Sequence, residues 1–387
     1  MNFELGEEEE AARDLSKQIF ADATSFERTR EVEADTEGPG FDRALWAHLA
    51  EANLLGLPIS EQFGGQGFGF FALCLLLEEA GRSLAPIPLL ESIVYAGLPI
   101  QQFGSEAIKK DCLPKMVTGE QIYTAALFEV GTPTFSRKLK TRAVADDAGG
   151  FSLSGEKVCA PFADSAERIL VSASNDDGVG FFLVSKDSPG VSLEAQETTA
   201  HERQFVVRLD GVNVGSDAIL AAPSEGEEIL TWLEPRATTA LAAVAVGAAE
   251  EALRQTAEYT STRKQFGREI GSFQGVSLRA ADAYIDVEAM RSTMWQAAWR
   301  VEHDQKSAKA AAVAKWWACM GGHRVSHTCQ HLHGGIGSDI DYPIHRYFLR
   351  LKHVAMTLGG ASEQLAVLGA MLASEARSGM DAEEILS

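Results

Sequence analysis

The hydrophobic pattern of this chain changes its period twice, and this change limits the folds that it can adopt. Up to about Gly119, apolar residues recur at helical spacing, as in the segments 7–20 and 41–54. Residues 121–224 instead form short β-like runs, separated by breakers such as DDAGG, NDDG and KDSPG. From Glu225 onward, helical spacing returns in long Ala-rich segments.

This order predicts an α+β fold with three domains. We expect an N-terminal helical domain over residues 1–120 and a central antiparallel β-barrel or sandwich domain over residues 121–224. A helical C-terminal domain follows over residues 225–387. Its long helices carry their charges on one side, which suggests a bundle that leaves faces for other subunits.

Composition restricts the class of protein. The net charge of -21 argues against a general nucleic-acid partner, because phosphate binding needs basic patches. The five cysteines are scattered without a CxxC pair, so neither a disulfide framework nor a zinc site is predicted. The acidic residues 1–14 do not resemble a signal peptide, and the longest apolar stretch, Ala237–Ala249, is shorter than the roughly 20 residues of a membrane span. We expect a cytoplasmic protein.

The segment YTSTRKQFGR, from Tyr259 to Arg268, is the first of two informative motifs. Arg263 and Lys264 suit the end of a helix, which carries partial negative charge. Gly267 is expected to close that helix. Taken alone, the segment fits the ordinary C-terminal end of a helix.

The second motif is HLHGGIGSDIDYPIHRYFLRLK, from His331 to Lys352. Its glycines allow a close approach to the backbone that a Cβ atom would block. Taken alone, it also fits a Gly-rich loop between two helices, with Pro343 at the start of the second helix.

Together and in this order, the two motifs resemble the C-terminal domain of the acyl-CoA dehydrogenase family, and the resemblance extends over essentially the whole chain. It implies that the C-terminal domain is a four-helix bundle and that FAD binds across a subunit interface. It also implies a β-domain that lies against the flavin ring and half of the acyl-CoA pocket. The expected reaction is α,β-dehydrogenation of an acyl-CoA thioester.

The resemblance assigns FAD contacts to eight residues. Arg263 and Phe266 hold the diphosphate side, for which the planar fork of Arg is suited. Gln265, Ile270 and Phe273 line the adenosine portion, and His331 and Gly335 complete the site from the neighbouring protomer. The eight are Arg263, Gln265, Phe266, Ile270, Phe273, His331, Gly334 and Gly335. His331 stands where the family often has Gln.

The catalytic base of the family is missing from its usual positions. A base must lie within hydrogen-bond reach of the proton that it removes. In many members it is a Glu before a Gly, and here that position is Leu358, or Gly359 if the register shifts by one. Other members place the Glu on the helix before the first motif, where this chain has Ala237 and Thr238.

Two carboxylates lie near these positions. Glu234, one turn away from Thr238, is the nearest candidate for the catalytic base, although it also fits a solvated acid at a helix start. Glu363 lies near Leu358, but in the simplest interpretation it faces the next helix.

The β-domain also departs from the family's pattern. Glu129 and Lys157 keep their places, whereas Cys159 and Pro161 stand where Trp and Thr are usual. The altered phrase resembles a bacterial subgroup that acts on steroid and other bulky CoA thioesters. Members of that subgroup often form α2β2 assemblies in which one chain supplies the base and the other has lost it.

Several functions stay open. The chain is predicted to be a subunit of a homo- or heterotetrameric dehydrogenase that passes electrons to an electron-transfer flavoprotein, and within such an enzyme it is either self-sufficient or the base-lacking partner. A flavin oxidase or monooxygenase of the same fold and a scaffold subunit without flavin are the alternatives. Four clustered histidines make a metal site conceivable, but no Asp or Cys completes a known motif, so no metal is predicted. They are His323, His327, His331 and His333.

Overall fold

The computed structural model describes residues 5–35 and 38–380, so the first four residues of the acidic N-terminal segment lie outside the described part. The chain divides into two compact units. The β-sheet unit contains the described residues up to 79 together with 85–237, and the helical unit contains residues 80–84 together with the described residues from 238 onward. The boundary between the two units lies inside one long helix, Gly226–Thr262. The predicted domain limits at 120 and 224 stay predictions.

Three of the described helices that precede the sheet begin at side chains that satisfy free backbone amides. The Ser25 hydroxyl accepts a hydrogen bond from the Arg28 amide, and the Asp42 carboxylate accepts from the amides of Ala44 and Leu45. Arg28 also pairs with Asp42 at 2.6 Å, which ties two helices together. The helices are Glu7–Ala23 (α1), Phe26–Ala34 (α2), Arg43–Glu51 (α3), Gly69–Arg82 (α4), Leu98–Phe103 (α5) and Glu106–Val117 (α6), with a π-helical segment at Leu90–Gly97.

The β-sheet unit is built on one twisted sheet. Its strands are Tyr123–Ala126 (β1), Arg142–Ala145 (β2), Phe151–Pro161 (β3), Arg168–Ser174 (β4), Val179–Ser185 (β5), Val191–Gln196 (β6), Gln204–Val214 (β7) and Ile219–Ala221 (β8). They lie in the order β6-β7-β3-β2-β4-β5-β8, with β1 beside β4. Most neighbours pair antiparallel, while β1 and β2 each pair in parallel with β4.

The predicted α+β class is confirmed, because the sheet follows one helical segment and precedes another. Over the residues that the structure describes, the sheet is open and mixed, whereas an antiparallel barrel or sandwich was expected. Alternating apolar residues indicate which face of a strand is buried but not the direction of its neighbour. The pattern therefore predicted the strands without the parallel pairs.

Strand β7 alternates buried apolar and exposed side chains over much of its length, whereas β4 and β5 are buried almost throughout. On β7, Phe205, Val207 and Leu209 are buried while Arg208 between them is exposed. They join a cluster with the buried residues of β3 and β4. Each such side chain contributes roughly 1.5–3 kcal/mol when fully buried.

A buried ion pair links β3 to the segment that precedes β2. Lys157 Nζ donates to Glu129 Oε1 at 2.7 Å and to Ser172 Oγ at 3.2 Å, and the side chains of the pair are 0% and 1% exposed. The Glu129 carboxylate also accepts from the amides of Lys140 and Thr141. Burial lowers the pKa of Lys157 to about 8, and the Glu129 carboxylate opposes that shift. The pair therefore holds both ends of the segment 129–141 against the sheet.

Replacing Lys157 by Met should destabilise the β-sheet unit by about 3–5 kcal/mol, because it leaves a buried carboxylate unpaired. Differential scanning calorimetry measures the loss. The matched control is the double variant Lys157→Met with Glu129→Gln, which removes both charges and should recover much of the stability. A Lys157→Met variant as stable as the parent would contradict this interpretation of the pair.

The helical unit is arranged around one central helix. Its helices are Gly226–Thr262 (α7, continuous with the β-sheet unit), Gln274–Glu302 (α8), Ala308–His333 (α9), Ile344–Met356 (α10) and Ala361–Arg377 (α11). Helix α9 packs against α8, α10 and α11. Gly321 permits the approach of α8, because a Cβ there would lie 2.9 Å from the Met290 side chain. In the described part of the chain, no helix is both long and apolar enough to cross a membrane.

Candidate cofactor and catalytic site

The first motif forms a hairpin rather than a helix end. Helix α7 ends at Thr262, and the strands Lys264–Gln265 (β9) and Arg268–Glu269 (β10) pair antiparallel. Phe266 and Gly267 are the turn between them, with φ values of 54° and 81°, as in a type I′ turn. The expectation that Gly267 closes the helix is therefore wrong, because the glycine serves a hairpin that follows the helix.

The hairpin presents its side chains to the outside. Phe266 is 92% exposed, and its ring meets that of Phe273 edge to face at 6.1 Å. The Arg268 guanidinium lies 4.0 Å from the centre of the Phe273 ring. Arg263 and Gln265 are exposed as well. Phe266 thus combines an exposed ring with a strained left-handed backbone, and such strained residues are frequent at ligand-binding sites.

Helix α8 begins directly behind this hairpin. Its N-cap residue is Phe273, which has no side-chain oxygen to accept from the first amides. The first turn of α8 contains no acidic residue. The positive end of a long helix thus lies beside exposed arginines, an arrangement that favours an anion such as a diphosphate.

The second motif forms a turn with exposed glycine backbone at Gly334 and Gly335, which is called the Gly334 corner. Helix α9 ends at His333, and a 3₁₀ segment, Gly334–Ser338, follows. Gly334 has φ 65° and ψ -140°, a conformation that is essentially restricted to glycine. A Cβ added at Gly334 or Gly335 would meet no atom within 4 Å. The corner therefore leaves room for a ligand against its backbone, and His331 beside it is exposed.

The two motifs lie close together in one chain. Tyr259, in the last turn of α7, stacks on His333 at a ring distance of 4.5 Å. Tyr342 packs on the same imidazole at 5.4 Å. His333 is buried, and its Nδ1 bonds to the Cys329 carbonyl at 2.8 Å. This stacking brings both motifs to the same end of one helical unit. The expectation that His331 and Gly335 complete the site from a neighbouring protomer stays a prediction.

These surfaces fit the diphosphate and adenosine portions of FAD. They combine an exposed Arg at position 263, an exposed Phe266 that packs on the partly buried Phe273, an uncapped helix N-terminus and a glycine corner with open space. The assignment of the eight residues to FAD contacts stays a prediction. Sequence reasoning overlooked Arg268, although a basic residue next to the turn glycine was a signal for it.

The first expected base position contains no titratable group. Leu358 is 3% exposed and has φ 57°. The Gln364 amide donates to its carbonyl at 3.0 Å. Lys315, fully buried, donates to the Val354 carbonyl at 2.7 Å and so fixes the end of α10 just before this turn. Leu358 is thus packed into a rigid turn.

The second expected position contains no base either. Ala237 and Thr238 are 0% and 3% exposed. Glu234 is partly exposed and lies beyond the first turn of α7, which begins at Gly226. The interpretation of Glu234 as a helix-start acid is therefore wrong, since the dipole acts within the first turn. Glu363 is exposed in the first turn of α11.

The chain matches two family models, which are described as Acyl-CoA dehydrogenase, N-terminal domain, over residues 6–120, and Acyl-CoA dehydrogenase, C-terminal domain, over residues 235–372. It is 38% identical over 376 residues to acyl-CoA dehydrogenase FadE27 of Mycobacterium tuberculosis, and the alignment covers 94% of this chain and 97% of that protein.

Two solved structures show the same fold at substantial identity. A Tcur3481–Tcur3483 steroid ACAD variant is 45% identical with a TM-score of 0.89, and the match covers 97% of this chain and 100% of that one. The ChsE4–ChsE5 complex from Mycobacterium tuberculosis is 37% identical with a TM-score of 0.90, covering 96% and 99%.

Fold and matches together define a flavoprotein oxidoreductase. The chain belongs to the acyl-CoA dehydrogenase family. Membership of this family confirms FAD as the predicted cofactor.

Replacing Phe266 by Asn should weaken FAD binding about tenfold, which is ~1.4 kcal/mol, without lowering the melting temperature of the flavin-free protein. Asn tolerates the left-handed turn, so the change removes the ring and keeps the hairpin. Fluorescence titration with FAD measures the affinity. Lys264→Gln is the matched control, because Lys264 pairs with Glu269 within the hairpin. Equal affinities of all three proteins would exclude Phe266 from the cofactor site.

Acid should destabilise the helical unit through His333. Burial lowers the pKa of His333 below its ordinary 6.5, so the unfolded chain takes up a proton that the folded chain resists. The stability contributed by this group is present above pH 6.5 and is lost as the pH falls below it. In calorimetry from pH 7 to pH 5, a His333→Phe variant should lose stability less steeply, by up to ~1.4 kcal/mol per pH unit. Parallel pH profiles of variant and parent would contradict this role.

Proposed function

We propose that this chain is the subunit of a heteromeric acyl-CoA dehydrogenase that contributes FAD contacts, while a homologous partner chain supplies the catalytic base. The observation that carries the proposal is the buried Leu358 in a rigid turn where many family members have Glu. Thr238 and Ala237, both buried, give no base at the other position.

The cofactor-binding features support a chain that keeps FAD while lacking the base. A chain that served only as a scaffold would have no need for an exposed Phe266 in a left-handed turn or for open space at Gly334. FAD, when bound, accepts the hydride from the β-carbon of the thioester. This chain's Arg263 would neutralise part of the diphosphate charge, and the Gly334 corner would admit the cofactor against the backbone.

Exposed apolar side chains support an oligomer. On the helical unit, Leu278, Tyr284 and Ile285 of α8 are 56%, 59% and 63% exposed. Leu278 and Ile285 lie on the face of α8 opposite to the buried Val287, Met290 and Met294, and Tyr284 lies at its flank. A chain with this much exposed apolar surface on one helix is expected to bury it against another subunit. An α2β2 tetramer would bury this apolar surface between its subunits. We expect the tetramer to lie in the cytoplasm.

The names of the similar structures support two-component assembly and a bulky substrate. One is described as a steroid ACAD with two components, and the other as a complex of two named chains. We infer that the substrate of this chain's assembly is a steroid-derived or similarly bulky acyl-CoA thioester, and that an electron-transfer flavoprotein reoxidises the flavin.

Flavin reduction tests the proposal. The purified chain, alone and co-expressed with a homologue from its own organism that carries Glu at either base position, is mixed anaerobically with steroid and straight-chain acyl-CoA thioesters. Bleaching of the flavin absorbance is expected only in the co-expressed assembly and fastest with a bulky thioester. Bleaching by the chain alone would contradict the proposal. Rapid reoxidation by air of the substrate-reduced assembly would favour an oxidase instead.

Glu234→Gln separates the two candidate sources of the base. In the co-expressed assembly, this change should alter the rate of flavin bleaching less than twofold, while Glu→Gln at the partner's base position should lower it by about 10²–10⁴. Stopped-flow absorbance measures both rates. A comparable loss in Glu234→Gln would make Glu234 the base and this chain self-sufficient.

A further inference from the structure

Three basic side chains converge on one face of the helical unit, and the proposed function uses none of them. Lys352 of α10 places its Nζ against His323 Nδ1 and 3.3 Å from His327 Nε2. The two imidazoles lie one turn apart on α9, with ring centres 4.3 Å apart. These three residues are called the His–Lys cluster.

The cluster is not arranged to bind a metal ion. A metal would need the lone pairs of the two imidazoles. His323 Nδ1 and His327 Nε2 instead both face the ammonium of Lys352, which occupies the place between them. Over residues 5–35 and 38–380, no group of three or more His, Cys, Asp or Glu side chains is placed to hold a metal.

The charges that act on the cluster are positive. His323 is affected by Lys352, His327 and Arg324, and His327 is affected by Lys352. The carboxylate that α8 directs toward this side, Asp286, is held by Arg324 through bonds of 2.8 and 2.5 Å. A concentration of positive charge is unusual in a chain with a net charge of -21.

The other elements that pack nearby add no compensating carboxylate. Helix α10, IHRYFLRLKHVAM, contains basic residues and no acidic one. On α11, Glu375 pairs with Lys309 at 3.1 Å, and the charge of Glu363 acts on the buried Lys315. The His–Lys cluster therefore lacks an anion among the described side chains.

We propose that the His–Lys cluster binds a phosphoryl group. His323 Nδ1 and His327 Nε2 both face the ammonium, so once they are protonated they become donors directed to the same place as Lys352 Nζ. The Phe348 ring lies 5.0 Å from Lys352 Nζ and 4.9 Å from the His327 ring, and forms an apolar wall. Phosphoryl oxygens accept charge-assisted hydrogen bonds from this combination of donors.

Binding should be coupled to proton uptake. In the free protein, partial burial and then the charge of Lys352 lower the pKa of His323 and of His327, which favours the neutral form of both rings. A bound dianion favours the charged imidazolium and raises both pKa values.

The position of the cluster suggests two sources for the phosphoryl group. His323, His327 and the exposed His331 follow one another at intervals of four residues, so they share one face of α9. His331 lies about 6 Å further along the axis than His327, next to the corner at Gly334. The diphosphate of FAD is therefore one source, and the phosphates of CoA are the other.

Isothermal titration calorimetry of the flavin-loaded protein with inorganic phosphate at pH 7, in buffers of different ionisation enthalpy, measures affinity and proton uptake together. We expect saturable binding, a loss of about tenfold in affinity in Lys352→Met, and smaller proton uptake in the double variant His323→Gln with His327→Gln. All three side chains lie at the surface of their helices, so the variants should fold. His48→Gln, at an exposed His of α3, is the matched control and should bind like the parent.

Competition identifies the source. Displacement of phosphate by CoA assigns the site to the substrate, whereas stronger phosphate binding after removal of FAD assigns it to the cofactor. The proposal is overturned if phosphate saturates neither the flavin-loaded nor the flavin-free protein, or if Lys352→Met binds phosphate as the parent does. Stoichiometric zinc uptake that the double variant loses would overturn it as well, in favour of a metal site. None of these readouts requires dehydrogenase activity, so the test is independent of the proposed function.

Discussion

The packing of small residues along α9 is the constraint on which the helical unit depends. Gly321 admits the side chain of Met290 from α8, and Gly322 lies 3.2 Å, measured from an added Cβ, from Leu351 of α10. Because these contacts fix the position of α9 between its neighbours, they also fix the position of its C-terminal end. The end of α9 is the Gly334 corner, which Tyr259 locates beside the hairpin through its stacking on His333. Helix packing therefore determines the geometry of the candidate cofactor surface.

The unit that contains the candidate cofactor surface has Leu358 where many family members have Glu, and this contrast is the basis of the proposed function. Leu358 is 3% exposed, and its backbone is in a left-handed conformation. A carboxylate in its place would have to be buried in that same conformation. The apolar side chain instead packs that turn. Under the proposed function, this chain binds FAD and other subunits, and proton removal is the task of a partner polypeptide.

Sequence reasoning reached the fold because periodicity reports burial, and long segments such as α7 and α9 bury one face over many turns. It failed at Gly267, since a glycine after basic residues is equally compatible with a helix stop and a hairpin turn, and only the pairing of Gln265 with Arg268 distinguishes them. It recognised the histidines of α9 as a cluster, but the insertion of Lys352 depends on the packing of α10 against α9. Contacts between distant segments have no local signal in one sequence.

The exchange of the substrate's α-proton with solvent tests the central claim most directly, because it reports a base without requiring hydride transfer. The flavin-loaded chain and the assembly with its partner are incubated with an acyl-CoA thioester in D₂O, and mass spectrometry follows deuterium at the α-carbon. Exchange should proceed at the background rate with this chain alone and should accelerate in the assembly. Enzyme-dependent exchange with the chain alone would contradict the claim, because the base would then lie in this polypeptide.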